Sequence, residues 1–93
     1  MKKVKALVSG EVQGVGFRMS TRAEAEKLGV CGTVRNLSNG DVEIIAAGKT
    51  DSVDALMNWA KSGPPLAVVD NLEIKVMKYQ DGEFSNFEIR RSS

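Results

Sequence analysis

Between Ser9 and Arg18 an alternating run gives way to Gly10-Glu11-Val12-Gln13-Gly14-Val15-Gly16-Phe17-Arg18, and no other stretch restricts the possible folds as much. Glycine adopts positive φ without a Cβ clash, so Gly14 and Gly16 allow successive backbone N–H groups to point into one concavity. The helical pattern that follows would set the positive end of its dipole at the same place. Arg18, in the first helical turn, adds a planar fork of donors matched to phosphate or carboxylate. The stretch reads as an anion cradle, and a plain strand-to-helix turn is the alternative reading of the same glycines. It is neither G-x-G-x-x-G nor a Walker A loop, because no Lys-Ser or Lys-Thr pair follows the glycines.

The rest of the chain supplies a frame for that turn. Before it, Val4, Ala6 and Val8 alternate with Lys5 and Ser9 over Lys3 to Ser9, the period of a half-buried strand, with Leu7 breaking the polar face. After it, Phe17, Thr21, Ala25 and Leu28 recur at helical spacing until Gly29 ends the run. Val30, Gly32 and Val34 then alternate with Cys31, Thr33 and Arg35, and Val42, Ile44 and Ala46 repeat the pattern beyond Leu37-Ser38-Asn39-Gly40-Asp41. Asn39-Gly40 predicts a type I′ hairpin between the two. A second helix is expected over Val53, Leu56, Met57 and Ala60, with Thr50 or Asp51 as N-cap and Ser62-Gly63-Pro64-Pro65 as its stop. Leu72, Ile74 and Val76 are expected on one face of a long final strand, and Phe84 to Arg90 on a short closing one. This order predicts an α+β fold, a ferredoxin-like βαββαβ sandwich in which an antiparallel sheet carries two helices on one face.

Composition narrows the chemistry. Ninety-three residues predict a single domain over 1–93, and a formal net charge of +1 leaves no global field to draw in nucleic acid or an anionic membrane. Without stacking aromatics on the central strands an RNA-binding sheet is disfavoured. The chain contains no histidine, which removes the commonest general base and zinc ligand together. Its single cysteine, Cys31, allows no internal disulfide and fits a reducing compartment, so the cytoplasm is expected, with no signal peptide or membrane span. Cys31 is expected to be buried for structural reasons. Glu24, Glu26, Glu43, Glu73 and Glu88 are expected to face solvent without forming a metal site, and Met57 and Trp59 to be core and core edge.

In the predicted topology the second strand runs parallel to the first. Its C-terminal residues, Arg35 and Asn36, therefore reach the end of the sheet that carries Arg18. Arg18 would hold an anion, and Asn36, which both donates and accepts hydrogen bonds, could orient an attacking water. Satisfying backbone groups at a turn is the alternative role for Asn36. Arg35 reads as a solvated or hairpin-supporting charge.

Two segments taken together, Gly10-Glu11-Val12-Gln13-Gly14-Val15-Gly16-Phe17-Arg18 and Gly32-Thr33-Val34-Arg35-Asn36-Leu37-Ser38-Asn39-Gly40-Asp41-Val42-Glu43, resemble the two signature motifs of the acylphosphatases. The resemblance covers essentially the whole chain and implies the same ferredoxin-like fold. It implies hydrolysis of acyl phosphates to a carboxylate and inorganic phosphate, with Arg18 binding the phosphate, Asn36 orienting water, and Gln13, Gly14, Val15, Gly16, Phe17 and Arg18 forming the backbone cradle. Thr33 stands where that family usually has an aromatic residue. A monomer acting on a small acyl phosphate is expected, with no cofactor, no metal, no nucleic acid and no membrane. The rival readings are an anion-binding module without catalysis, a carbamoyl-phosphate-handling domain of hydrogenase-maturation proteins, and an interaction domain that recruits a partner through the open face of its sheet.

Overall fold

The period-2 runs form strands and the 3.6-period runs form helices in a computed structural model that describes residues 1–92. Chain order is β1 (Lys2–Glu11), α1 (Phe17–Leu28), β2 (Cys31–Asn36), β3 (Val42–Gly48), α2 (Thr50–Ala60), β4 (Val68–Met77) and β5 (Phe87–Ile89). The strands lie in the order β4-β1-β3-β2-β5. Every neighbouring pair is antiparallel except β2 with β5, which is parallel, so the sheet is mixed at that edge.

Both β1 and β2 run antiparallel to β3, and hence parallel to each other. Asn36 pairs with Val42, and Val42 pairs with Val8, so the C-terminal ends of β1 and β2 lie at one end of the sheet. That is the end where the glycine turn leaves β1.

One face of the sheet presents Val4, Ala6, Val8, Val34, Val42, Ile44 and Ala46, all fully buried. Phe17, Thr21 and Ala25 of α1 and Val53, Leu56, Met57 and Ala60 of α2 close over it. Helices this short are marginal in water by themselves, so burial of these stripes is what stabilises them, at about 1.5–3 kcal/mol for each large apolar side chain. Thr21 is buried without loss because its hydroxyl donates to the Phe17 carbonyl at 2.7 Å. Among the described residues no helix is long and apolar enough to cross a membrane.

Four local expectations are corrected. The Leu37 carbonyl accepts the Gly40 N–H at 3.1 Å and the Asp41 carbonyl accepts the Leu37 N–H at 2.8 Å, so the hairpin loop is three residues long and not a type I′ pair. Within the loop only Gly40 has positive φ, 98°. Asn39 instead supports the turn through its side chain, whose Oδ1 accepts the Asp41 N–H at 3.0 Å. At the start of α2, Lys49 occupies the N-cap position and no side chain caps the helix; Asp51 contributes only its charge, in the first turn. Leu72, Ile74 and Val76 do share one face, but Ile74 and Val76 remain 43% and 68% exposed, because β4 is an edge strand and α2 packs over β1 and β3. Cys31 is half-buried, at the N-terminal end of β2.

Glu43 lies on the face of the sheet away from the helices, as expected, but does not face solvent: only 8% of it is exposed. It sits on the central strand, where its register partner Arg35 donates to it at 2.9 Å and Lys5 approaches to 3.7 Å. Arg35 therefore supports the hairpin, one of its two expected roles.

Candidate active site

Two buried side chains bracket the turn between β1 and α1. Val12 is 1% exposed at its start and Phe17 is 2% exposed at its end, with the Phe17 ring tilted against Trp59 at a centroid distance of 5.7 Å. Burial of these anchors determines where the turn begins and ends, and Gln13, Gly14 and Gly16 between them stay exposed. Gly14 and Gly16 each have φ of 76°, and Gly16 occupies the N-cap position of α1.

The consequence is a surplus of donors. Among the described residues no backbone or side-chain acceptor engages the N–H groups from Gln13 to Met19, while the Gly16 carbonyl is already used by the Ser20 N–H at 3.0 Å. The first amides of any helix lack internal partners, and here they follow directly on a turn whose amides are also unpaired.

Arg18 adds to the same surplus. It is half-buried, and among the described residues no carboxylate lies within 4.0 Å of it, whereas Arg35 and Arg90 each hold a glutamate. Unpaired amides, a helix N-terminus and an unpaired guanidinium together concentrate free donors and positive charge at one end of the sheet, on a chain of net charge +1.

Asn36 is the last residue of β2 and is half-buried. Its carboxamide makes no hydrogen bond to another described residue, because the neighbouring turn is held by Asn39 and by Gln13. Val12, Gly14, Gly16, Phe17, Arg18, Met19, Asn36 and Ile89 line a single pocket of about 230 Å³. The turn, the arginine and the asparagine thus meet, as the parallel course of β1 and β2 requires.

Gln13 and Val15 do not line the pocket with the others. Val15 packs against the core, and the Gln13 side chain reaches the β2–β3 hairpin. Nothing in the sequence singles out Ile89 or Met19 as pocket residues. The Ile89 wall depends on β5 pairing with β2, Val34 opposite Ile89, and three residues of alternation carry no sign of that pairing. Thr33 lies away from this pocket, in a shallow recess with Arg35, Glu43, Arg90 and Arg91, so the departure at this position leaves the pocket lining untouched. A cavity of about 330 Å³ at the opposite end of the sheet, bordered by Cys31, Tyr79 and Phe84, shares no lining residue with this pocket.

A Cβ at Gly14 or Gly16 would meet no protein atom within 4 Å, so a substitution there is penalised by φ and not by crowding against the protein. Gly14→Val and Gly16→Val are expected to weaken inorganic phosphate binding at least tenfold, beyond any loss in thermal stability, since a β-branched residue disfavours this φ and would re-aim the amides. Calorimetric titration of phosphate into the folded variants measures it. Unchanged affinity would reduce the cradle to an ordinary turn.

The family model described as Acylphosphatase matches residues 4–89. Among curated proteins the chain is similar to an acylphosphatase of Methylococcus capsulatus, 48% identical over 91 residues and covering 98% of each chain. Among solved structures it is similar to an acylphosphatase from Coxiella burnetii, with a TM-score of 0.89, 44% identity, and 96% of this chain and 92% of that one covered. It is similar also to an acylphosphatase from Bacillus subtilis, with a TM-score of 0.91, 32% identity, and 97% and 99% of the two chains covered.

Proposed function

The chain belongs to the acylphosphatase family, and from that premise we propose that the pocket between the glycine turn and Asn36 is where it acts on its substrate. The enzyme hydrolyses acyl phosphates to a carboxylate and inorganic phosphate. The observation that carries the assignment of the site is the meeting in one pocket of unpaired backbone donors, an arginine without an acid partner and a carboxamide without a hydrogen bond.

In this reading the amides of Gln13 to Arg18 and the Arg18 fork hold the phosphoryl oxygens. Water attacks phosphorus as the bond from phosphorus to the bridging oxygen breaks, and the carboxylate departs with the bonding electrons. A carboxylate is a good leaving group, so a loose transition state needs positioning and charge stabilisation more than a strong protein base. Asn36 accepts a hydrogen bond from the water through Oδ1 and donates through Nδ2 to the phosphate. The proton of the water passes to a phosphate oxygen of the substrate itself, which is how a chain without histidine manages the step. We place the protein in the cytoplasm as a monomeric single domain that uses no cofactor and requires neither nucleic acid nor membrane.

The direct test is purified protein with benzoyl phosphate and no added metal, following benzoate and inorganic phosphate released in equal amounts. Absence of turnover by folded protein would favour a non-catalytic anion-binding module. Among the described residues no group of three metal-ligating side chains is assembled, so EDTA is expected to leave the rate unchanged. With no histidine in the chain, kcat is expected to vary little between about pH 5 and pH 8, apart from titration of the substrate. Loss of activity with chelator and rescue by Mg²⁺ or Zn²⁺ would contradict this.

A further inference from the structure

We propose that the Gln13 side chain is a positioning residue for this reaction, a clamp that sets where Asn36 stands relative to the phosphate-holding turn. The inference rests on the roles assigned above to Arg18 and Asn36. Gln13 Nε2 donates to the Leu37 carbonyl at 2.8 Å and to the Asp41 carbonyl at 2.9 Å. Both protons of its amide are thereby used, on the two carbonyls that form the neck of the hairpin. Leu37 directly follows Asn36, and Gln13 directly precedes Gly14, so the clamp joins the residues next to the two halves of the site.

Each carbonyl already accepts one backbone N–H, Leu37 from Gly40 and Asp41 from Leu37, and Gln13 supplies the second donor to both. Among the described residues no other hydrogen bond links the turn Gln13–Gly16 to the segment Leu37–Asp41. The two are far apart in the chain, and they are otherwise held only through the sheet and core beneath them. Gln13 is exposed, so water can replace its bonds when it is removed, and little stability depends on it. What water cannot replace is a fixed spacing between the turn and the end of β2. Misplacement by about 1 Å of a group that positions a reactant is enough to cost up to about 10²-fold in rate.

The test is a double-mutant cycle on benzoyl phosphate hydrolysis, with phosphate affinity and thermal melts as controls. Gln13→Ala is expected to lower kcat about tenfold or more, with phosphate Kd within about twofold of wild type and a near-normal melt. Because the clamp acts through Asn36, adding Gln13→Ala to Asn36→Ala is expected to cost almost nothing further. Gln13→Glu gives an independent readout. Its ionised carboxylate cannot donate to the carbonyls, whereas the protonated acid can donate once, so its kcat relative to wild type should rise as pH falls toward the ordinary glutamate value of about 4.3. The Gln13→Ala ratio should stay flat over that range.

Wild-type kcat in Gln13→Ala, or additive losses in the double variant, would overturn the clamp while leaving Arg18 and Asn36 in their roles. If Asn36→Ala alone were fully active, the reading on which the clamp rests would itself fail.

Discussion

Replacing Arg18 with alanine is expected to bring turnover of benzoyl phosphate below detection and to weaken inorganic phosphate binding, with the fold intact. The guanidinium has no carboxylate partner among the described residues, so its removal leaves no buried acid unpaired and the melt should stay near that of wild type. Its proposed contribution lies in the transition state, where charge spreads over the equatorial phosphoryl oxygens. Loss of one such charge-assisted pair costs on the order of 3 kcal/mol or more in barrier, a factor of about 10² or more in rate. Arg18→Lys should recover little, because a point ammonium does not reproduce a bidentate fork. Comparing kcat/KM and phosphate Kd of the three proteins measures it. A folded Arg18→Ala protein with most of the wild-type activity would remove Arg18 from the mechanism.

The second large effect is expected at Asn36, where two substitutions should fail differently. Alanine can neither accept from the water nor donate to the phosphate, so Asn36→Ala should lose mainly kcat while phosphate binds nearly as before. Aspartate keeps the acceptor but sets a negative charge beside an incoming anion. In a partly enclosed site that repulsion amounts to about a few kcal/mol, so Asn36→Asp should lose substrate affinity as well as turnover. The measurements are kcat, KM and phosphate Kd for both variants beside a thermal melt. Lowered melting temperatures with normal kcat per folded molecule would return Asn36 to the role of a turn residue.

The sequence leaves that alternative open because asparagine beside a hairpin commonly satisfies backbone groups. The turn in fact takes its support from Asn39 Oδ1 and Gln13 Nε2, and the Asn36 carboxamide is left without a partner among the described residues. Which of two nearby asparagines supports a turn depends on loop length, and Asn39-Gly40 suggests a two-residue loop where three residues are used. The expectations for one carboxylate and for the thiol fail for a related reason. Glu43 is buried by its neighbours on both sides of a central strand, and Cys31 is half-exposed by its position at a strand end. Alternation assigns a residue to a face but says nothing of what covers that face.

By itself the sequence determined what short-range chemistry controls. Alternation placed Val4, Ala6 and Val8 on a buried face, helical spacing did the same for Phe17, Thr21 and Ala25, and the two glycines at 14 and 16 adopt the positive φ that their turn needs. Together with Arg18 they mark the stretch as a candidate anion cradle, with a plain turn left as the alternative reading of the same residues. The tertiary structure alone decided which distant pieces meet. It set β4 on an edge that leaves Ile74 and Val76 uncovered, brought Ile89 to the wall of the pocket, and put the Gln13 amide on the carbonyls of Leu37 and Asp41. The physical reason is one of range. A dihedral or a periodicity is set by neighbours within a few positions, whereas an edge, a pocket wall or a cross-chain hydrogen bond exists only after residues tens of positions apart have packed one face against another.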